Sequence, residues 1–363
     1  MALKKVLVGM SGGIDSSVAA FLLKKQGYEV TGVTMAIWKE GREFHGDLSA
    51  NSCFAPTETK DIEHTAEICR QLGIEHRVLD ISSLYEEVVL GNFRSEYLNG
   101  RTPNPCVWCN QKIKFGAMVQ RAREEGIDFD CFATGHYARI KQMENGRYAL
   151  MRSLDAKKDQ SYFLYRLSQE QLAMTLFPLG NMTKAEVRKI DVELGFHPEG
   201  MTESQDFYSG PYSDLLDVKP KVGNIVDKDG KVLGHHNGVW NYTIGQRKGL
   251  GIGASRPLYV TELRVDRNEV VVGFEEDTKD VAVTASSLVW GAVDSIPSEM
   301  EVSAKIRSAS PAIECSVSQS DSESITARFK VPVKAATCGQ SLVVYKDDVI
   351  LCGGIIDEKV RLS

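Results

Sequence analysis

Hydrophobic and polar positions follow two registers along this chain, and the change of register divides it. The run Lys4–Met10 is apolar and β-rich, Asp15-Ser16-Ser17 opens an amphipathic helix ending at Gly27, and "EVTGVTMAIW" is a second strand. "TETKDIEHTAEICRQLG" has helical spacing with Thr57 as its cap, "EHRVLDI" is a strand, and residues 82–97 and 111–125 are helical. "CFATGHYARI" reads as a strand running into a turn, and helical spacing returns in "SQEQLAMTLF" and "MTKAEVRKIDVELGF". Strands alternating with helices predict a doubly wound parallel sheet. Beyond residue 202 short Gly-rich strands take over. From residue 276 alternating runs such as "VAVTASSLVW", "MEVSAKIRSA" and "SITARFKVPV" predict a β-barrel or sandwich. The expected organisation is an α/β domain over 1–201, a small mixed β-rich domain over 202–275, and a C-terminal β-barrel domain over 276–363.

A chain of 363 residues fits two or three domains, and 42% apolar with 25% charged residues is a globular composition. No apolar run reaches the length of a membrane span, and "MALKKVLVGM" lacks the apolar core of a signal peptide. A cytoplasmic protein with no membrane partner is expected. Its eight cysteines are then mostly reduced; Cys69 and Cys352 sit in apolar patterns as small core residues. A net charge of −6 does not advertise a nucleic-acid binder, but its distribution does more. Arg101–Arg123 holds five basic residues and no acidic one, and Arg139–Gln160 holds six against three. Both stretches flank the chemical motifs, which points to a polyanion partner.

The first motif is "GMSGGIDSS" after the opening strand. Ser11-Gly12-Gly13 lets backbone N–H groups approach a phosphate at a helix N-terminus. The loop has neither the lysine of a Walker motif nor the spacing of a dinucleotide fingerprint. It resembles the pyrophosphatase (PP) loop of the adenine-nucleotide alpha-hydrolase group, which cleaves ATP between the α and β phosphates. That resemblance implies that Gly9, Met10, Ser11, Gly12, Gly13, Ile14, Asp15 and Ser16 cradle pyrophosphate, with Asp15 on Mg2+ and Met35 against adenine.

The second motif is "RTPNPCVWCN", in which Cys106 and Cys109 stand three residues apart behind two prolines. A zinc site would need a second close pair of ligands, and none follows; the other cysteines are single and His235-His236 are adjacent. Synthetases of the same ATP group that use ammonia would need no such pair.

Taken in order, "GMSGGIDSS", "TPNPCVWCNQKIKFG", "ATGHYARI", "KKDQSYFLYRLSQEQLAMTLFPLGNMTKAEVRKI", "GNIVDKDGKVLGHHNGVWNYTIGQRKGLGIG" and "CGQSLVVY…LCGGII" resemble the tRNA-specific 2-thiouridylases along nearly the whole chain. The resemblance implies ATP-dependent thiolation of C2 of the wobble uridine, position 34, with tRNA as partner. A sulfur donor, a persulfide carrier or hydrosulfide, is the second implied partner. Gly135 would contact ATP. Asn104, Pro105 and Cys106 would lie against the base in a proline-set loop, and His136 near the reaction centre. Lys158, Asp159 and Gln160, with Arg307, Ser308 and Gln340 of the barrel, would bind tRNA. Ser308 stands where the family usually has tyrosine. Cys109 falls at the nucleophile position.

Many members also carry a second cysteine in a segment like "SQDICF"; here the segment is "ESQDFYSG" and the aligned residue is Tyr208. Two readings of the pair follow. Either Cys109 carries sulfur and Cys106 replaces the distant partner through a local disulfide, or both ligate a four-iron cluster that holds hydrosulfide. A close pair with depressed thiol pKa values suits iron. The third ligand would be Cys53, or second Cys338. A PP-loop enzyme acting on a different tRNA base is the alternative function.

Overall fold

The structure is a computed structural model that describes residues 4–39, 41–48, 52–201, 207–319 and 321–362. The expected domain boundary at 201/202 lies outside the described residues. The chain divides into two compact units: Met1–Val89, Pro105–Pro211 and Asp348–Ile350 form one, and Leu90–Asn104, Tyr212–Asp347 and Leu351–Ser363 the other. No helix of the described residues is long and apolar enough to cross a membrane.

The first unit is built on five parallel strands in the order Glu75–Asp80, Glu29–Ala36, Lys5–Gly9, Cys131–Thr134, Thr175–Leu176. The central strand is apolar on both faces, and Val6, Leu7 and Val8 are at most 1% exposed. That is the pattern of a parallel sheet covered on both sides, each such side chain contributing about 1.5–3 kcal/mol by burial. The order reverses beside Lys5–Gly9, so the carboxyl ends of Lys5–Gly9 and Cys131–Thr134 flank a switch point, where ligands bind in such sheets. Helices Ile14–Lys25 and Lys184–Leu194 pack together through Ile14, Val18, Ala19 and Val187.

Several expectations need refinement. Thr57 stands at the start of helix Glu58–Leu72, but its side chain makes no capping bond. Ser168 and Thr183 each close a full capping box, with Gln171 and Glu186. "CFATGHYARI" is the expected strand running into a turn, Cys131–Thr134 in the parallel sheet, and beyond the turn a further strand, Ala138–Gln142, starts a hairpin with Tyr148–Arg152. The helix expected from residue 111 begins at Pro105, because proline's fixed φ and missing N–H suit the first helical position.

In the second unit, Gly223–Val226, Val232–His236, Tyr259–Arg264 and Glu269–Gly273 form a small four-stranded sheet. The remaining strands make a six-stranded barrel, closed where Lys279–Trp290 pairs with the last strand, from Asp280↔Arg361 to Trp290↔Cys352. A barrel, not a sandwich, removes the edges.

Candidate functional site

The PP loop closes on itself before any ligand is considered. Ser16 Oγ accepts from Ser11 N–H at 3.2 Å and donates to Gly13 O at 3.0 Å, and Ser17 Oγ also reaches Gly13 O at 3.0 Å. Gly13 caps helix Ile14–Lys25 without a side chain, which leaves the first-turn amides open to an anion. Met10 and Ile14 point into the core, so they offer backbone only. Gly135 presses on the loop so closely that a Cβ there would stand 2.5 Å from Asp15 C and 2.7 Å from Ser16 N. Only glycine fits. Met35 is half-buried near the carboxyl end of its strand.

Asp15 is not a free carboxylate. Its Oδ1 accepts from Tyr137 Oη at 2.9 Å and from Lys184 Nζ at 2.6 Å. The lysine that the loop lacks in sequence arrives from the first residue of helix Lys184–Leu194, and nothing local in the sequence marks it. An acidic oxygen at a phosphate cradle is a fitting hard ligand for Mg2+.

The cysteine pair stands on a helix, where a loop was expected. Pro105–Trp108 is α-helical and runs directly into a π-helix over Cys109–Ala117 and an α-helix over Met118–Glu124. Cys106 and Cys109 are therefore one turn apart on the same face. Trp108 between them stacks on the Arg166 guanidinium at 4.9 Å, and Asn110, just after Cys109, donates from Nδ2 to Phe163 O at 3.1 Å, which anchors the turn. In a π-helix residues i and i+5 are hydrogen-bonded neighbours, so Lys114 follows Cys109 by one such turn. Its charge acts on Cys109, Cys53 and His136 alike.

The expected depressed thiol values are not found. Desolvation pushes Cys109 up to about 12, against the opposing pull of Lys114, because the thiol is buried. Cys53 keeps an exposed surface, yet the protein packed around it still raises its thiol, again with Lys114 opposing. Cys53 Sγ contacts Phe207 O at 3.8 Å, and Phe54 N–H bonds the same oxygen at 2.9 Å. Tyr85, fully buried under Phe54, feels Cys109, Cys53 and Cys106 together. Among the described residues no three His, Cys, Asp or Glu side chains converge to hold a metal ion. Tyr208, at the position where many members of the resembled family carry a cysteine, is buried in an aromatic cluster with Phe44 and Phe54. Cys338 belongs to the second unit and bonds Asp357 O at 3.0 Å.

The residues expected on tRNA are placed unequally. Desolvation, then Lys114, holds the His136 imidazole well below its ordinary pKa; its Nδ1 shares a hydrogen with Thr134 Oγ1 at 2.7 Å, and its ring lies by Phe115. Asp159 accepts from Ser153 and Ser161, and Gln160 Oε1 accepts from Tyr137 N at 2.8 Å, so both build the loop that presents Lys158. In the second unit, Arg307 Nη2 donates to Ile244 O at 3.0 Å, Ala335 O at 2.7 Å and Thr337 Oγ1 at 2.5 Å. Gln340 Nε2 holds Thr102 O and Pro103 O at 3.1 and 3.0 Å, next to buried Asn104. Ser308 is exposed. The basic run Arg101–Arg123 is partly neutralised: Arg101 pairs with Glu96 and Asp357, and Arg121 with Glu125.

Residues 4–208 match the family described as tRNA methyl transferase HUP domain, 216–274 the tRNA methyl transferase PRC-barrel domain, and 281–356 the aminomethyltransferase beta-barrel domain. A tRNA-specific 2-thiouridylase of Endomicrobium trichonymphae is 46% identical over 355 residues, 97% of this chain and 98% of that protein. One from Caldanaerobacter subterraneus subsp. tengcongensis is 44% identical over 369 residues, covering 98% of this chain and 99% of that protein. One from Clostridium botulinum is 44% identical over 364 residues, covering 98% of each.

Proposed function

The chain belongs to the tRNA-specific 2-thiouridylases, and we propose that it thiolates C2 of uridine 34 with Cys109 carrying the sulfur and Cys106 releasing it. It is an ATP-dependent tRNA-uridine 2-sulfurtransferase. The cytoplasm, where tRNA is used, is where we place it. The observation that carries the cysteine assignment is the pair Cys106 and Cys109 on one helical turn, followed by Lys114.

In this reading the uracil O2 attacks the α-phosphorus of ATP, forming the O2 adenylate and expelling pyrophosphate. Lys184 and the first-turn amides behind Gly13 meet the departing charge. Asp15 would hold the Mg2+ bound with ATP, which would supply charge neutralisation at the phosphates, and Lys184 beside the same carboxylate adds a positive charge there. A persulfide donor passes its sulfane sulfur to Cys109. The Cys109 persulfide then attacks C2, the C2–O bond breaks, and AMP leaves with the former carbonyl oxygen. The Cys106 thiolate attacks Cys109 Sγ; the S–S electron pair goes to the sulfur on C2, and thiouridine departs. A Cys106–Cys109 disulfide remains, and an external dithiol reduces it. Residues three apart on a helix have Cβ atoms about 5–6 Å apart, somewhat beyond the roughly 3.5–4.5 Å of a disulfide, so closing the bond requires the first turn to relax. Asn104, Pro105 and His136 are assigned to the base. Lys158, in the loop shaped by Asp159 and Gln160, is assigned to the tRNA backbone, with Arg307, Ser308 and Gln340 on the barrel side.

One observation favours a second reading. Cys53, Cys106 and Cys109 all act on Tyr85, and three thiols could ligate a four-iron cluster that holds hydrosulfide. Their present placement does not form that site, and Cys53 would have to turn from Phe207. Anaerobic purification with iron and sulfide assay separates the two. Near-zero iron after reconstitution, with thiolation supported by a persulfide alone, is the expected result. A cluster that disappears in Cys53→Ala would replace the first reading. Loss of 2-thiouridine from the tRNA of a deletion strain, read by nucleoside mass spectrometry, tests the function itself.

A further inference from the structure

We propose that His197, held by Asp191, is the positioning residue of the PP loop: it fixes the Gly12 carbonyl on the buried side and so turns the Gly13 N–H outward to take a phosphate oxygen. The proposal rests on the reading of this loop as the pyrophosphate site. His197 Nδ1 lies 2.6 Å from Asp191 Oδ1 and Nε2 lies 2.9 Å from Gly12 O. The two side chains are 0% and 3% exposed. A backbone oxygen can only accept, so Nε2 carries a hydrogen. At Nδ1 the proton can reside on the ring or on Asp191; in both forms Nε2–H remains the donor to Gly12. The pair is therefore a fixed donor aimed at one peptide.

That peptide is the one whose orientation matters. The described chain has no cis peptide bond, and across a planar trans peptide the C=O and N–H point in opposite directions. Gly12 O bound to a fully buried imidazole therefore directs Gly13 N–H away from the interior. Gly12 has φ +74°, and a Cβ on it would stand 2.9 Å from Thr65 Oγ1 and 3.1 Å from Asp61 O. Glycine is required there, and a Gly-Gly peptide is the one most free to flip when nothing holds it. The ring's other neighbour is His64, edge-on at 5.1 Å from the same helix as Asp61.

One helix supplies both handles on the loop. Lys184 and Asp191 are seven residues apart in Lys184–Leu194, two turns on one face. The first bonds Asp15 and the second orients His197 just beyond the helix end. A buried polar pair of this kind is a weak source of stability compared with apolar packing, which fits a role in geometry better than one in folding.

The test is a split between two Michaelis constants. His197→Leu should raise KM for ATP about 10- to 100-fold, the worth of a hydrogen bond to a charged group, and leave KM for tRNA unchanged, with AMP and pyrophosphate still the products. His197→Gln, whose amide can reach Gly12, should recover most of the loss, and the shorter His197→Asn should not. If His197→Leu fails to fold, the same comparison is made in the Asp191→Asn background, where no buried charge is stranded. An unchanged KM for ATP in His197→Leu, an equal rise in both Michaelis constants, or Gln no better than Asn overturns the proposal. ADP as the product of the wild-type enzyme would instead overturn the pyrophosphatase reading beneath it.

Discussion

Lys184 Nζ reaches Asp15 Oδ1 at 2.6 Å across 169 residues of chain, and Tyr137 Oη bonds the same oxygen at 2.9 Å. A loop that lacks its own lysine thus has one delivered from a helix that begins with a capping box, Thr183 against Glu186, which fixes where that lysine starts. Removing the ammonium should cost what a charge donor at a leaving group typically supplies. Lys184→Met is expected to slow pyrophosphate release about 100- to 1000-fold, and Asp15→Ala to abolish it, with tRNA binding retained in both. A Lys184→Met enzyme with normal pyrophosphate release would confine the lysine to a structural ion pair.

The second prediction concerns the Cys109 thiol. With its pKa pushed up to about 12, it stays protonated through the neutral range. Alkylation of Cys109 by iodoacetamide should therefore climb about tenfold per pH unit from pH 7 to pH 10, whereas an ordinary thiol levels off above about 8.5. Lys114→Met removes the opposing charge and should slow alkylation further at every pH. Peptide mass spectrometry reads the rate at this one cysteine. A plateau near pH 9 would mean that the thiol is better solvated than its burial indicates. Activity that survives Cys109→Ser would remove the residue from the reaction.

The parallel sheet and barrel were legible because periodicity and turn residues report on backbone, and the PP loop because its glycines are local. The cysteine helix is not legible as one, because two prolines mark a rigid loop as readily as a helix start, and Pro105 occupies a first helical position that favours proline. Lys184, Tyr137 and His197 were invisible for a different reason. Each acts across more than 120 residues of chain, on Asp15 or Gly12, and no spacing rule spans that distance. Tyr208 occupies an aromatic core position, which a comparison of cysteine positions alone does not reveal.

Arg307 provides the third prediction, because its placement favours holding the second unit together. One guanidinium nitrogen satisfies Ile244 O, Ala335 O and Thr337 Oγ1. Arg307→Ala takes the donor from Ile244 O and leaves Ala335 O only the Thr337 hydroxyl, and should lower unfolding free energy by about 1–3 kcal/mol, measured by urea denaturation. Unchanged stability with weakened tRNA binding would instead make it a direct RNA contact.

The last prediction separates Lys158 from its neighbours. Asp159 accepts from Ser153 N, Ser161 N and Ser161 Oγ, and Gln160 both donates to and accepts from the Tyr137 backbone. Their substitution should change the loop's shape, and with it the placement of Tyr137 beside Asp15. Lys158 lies in the same loop with part of its surface exposed. If its ammonium neutralises a tRNA phosphate, Lys158→Ala removes one counterion-release event, and the slope of log K against log salt should flatten by about one unit. Asp159→Asn should leave that slope alone and instead lower thermal stability and raise KM for ATP, since it acts through the loop. Filter binding over a salt series measures both variants. An unchanged slope in Lys158→Ala would assign the lysine to the loop as well, and a flattened slope in Asp159→Asn would mean that loop shape, not a point charge, governs the backbone contact.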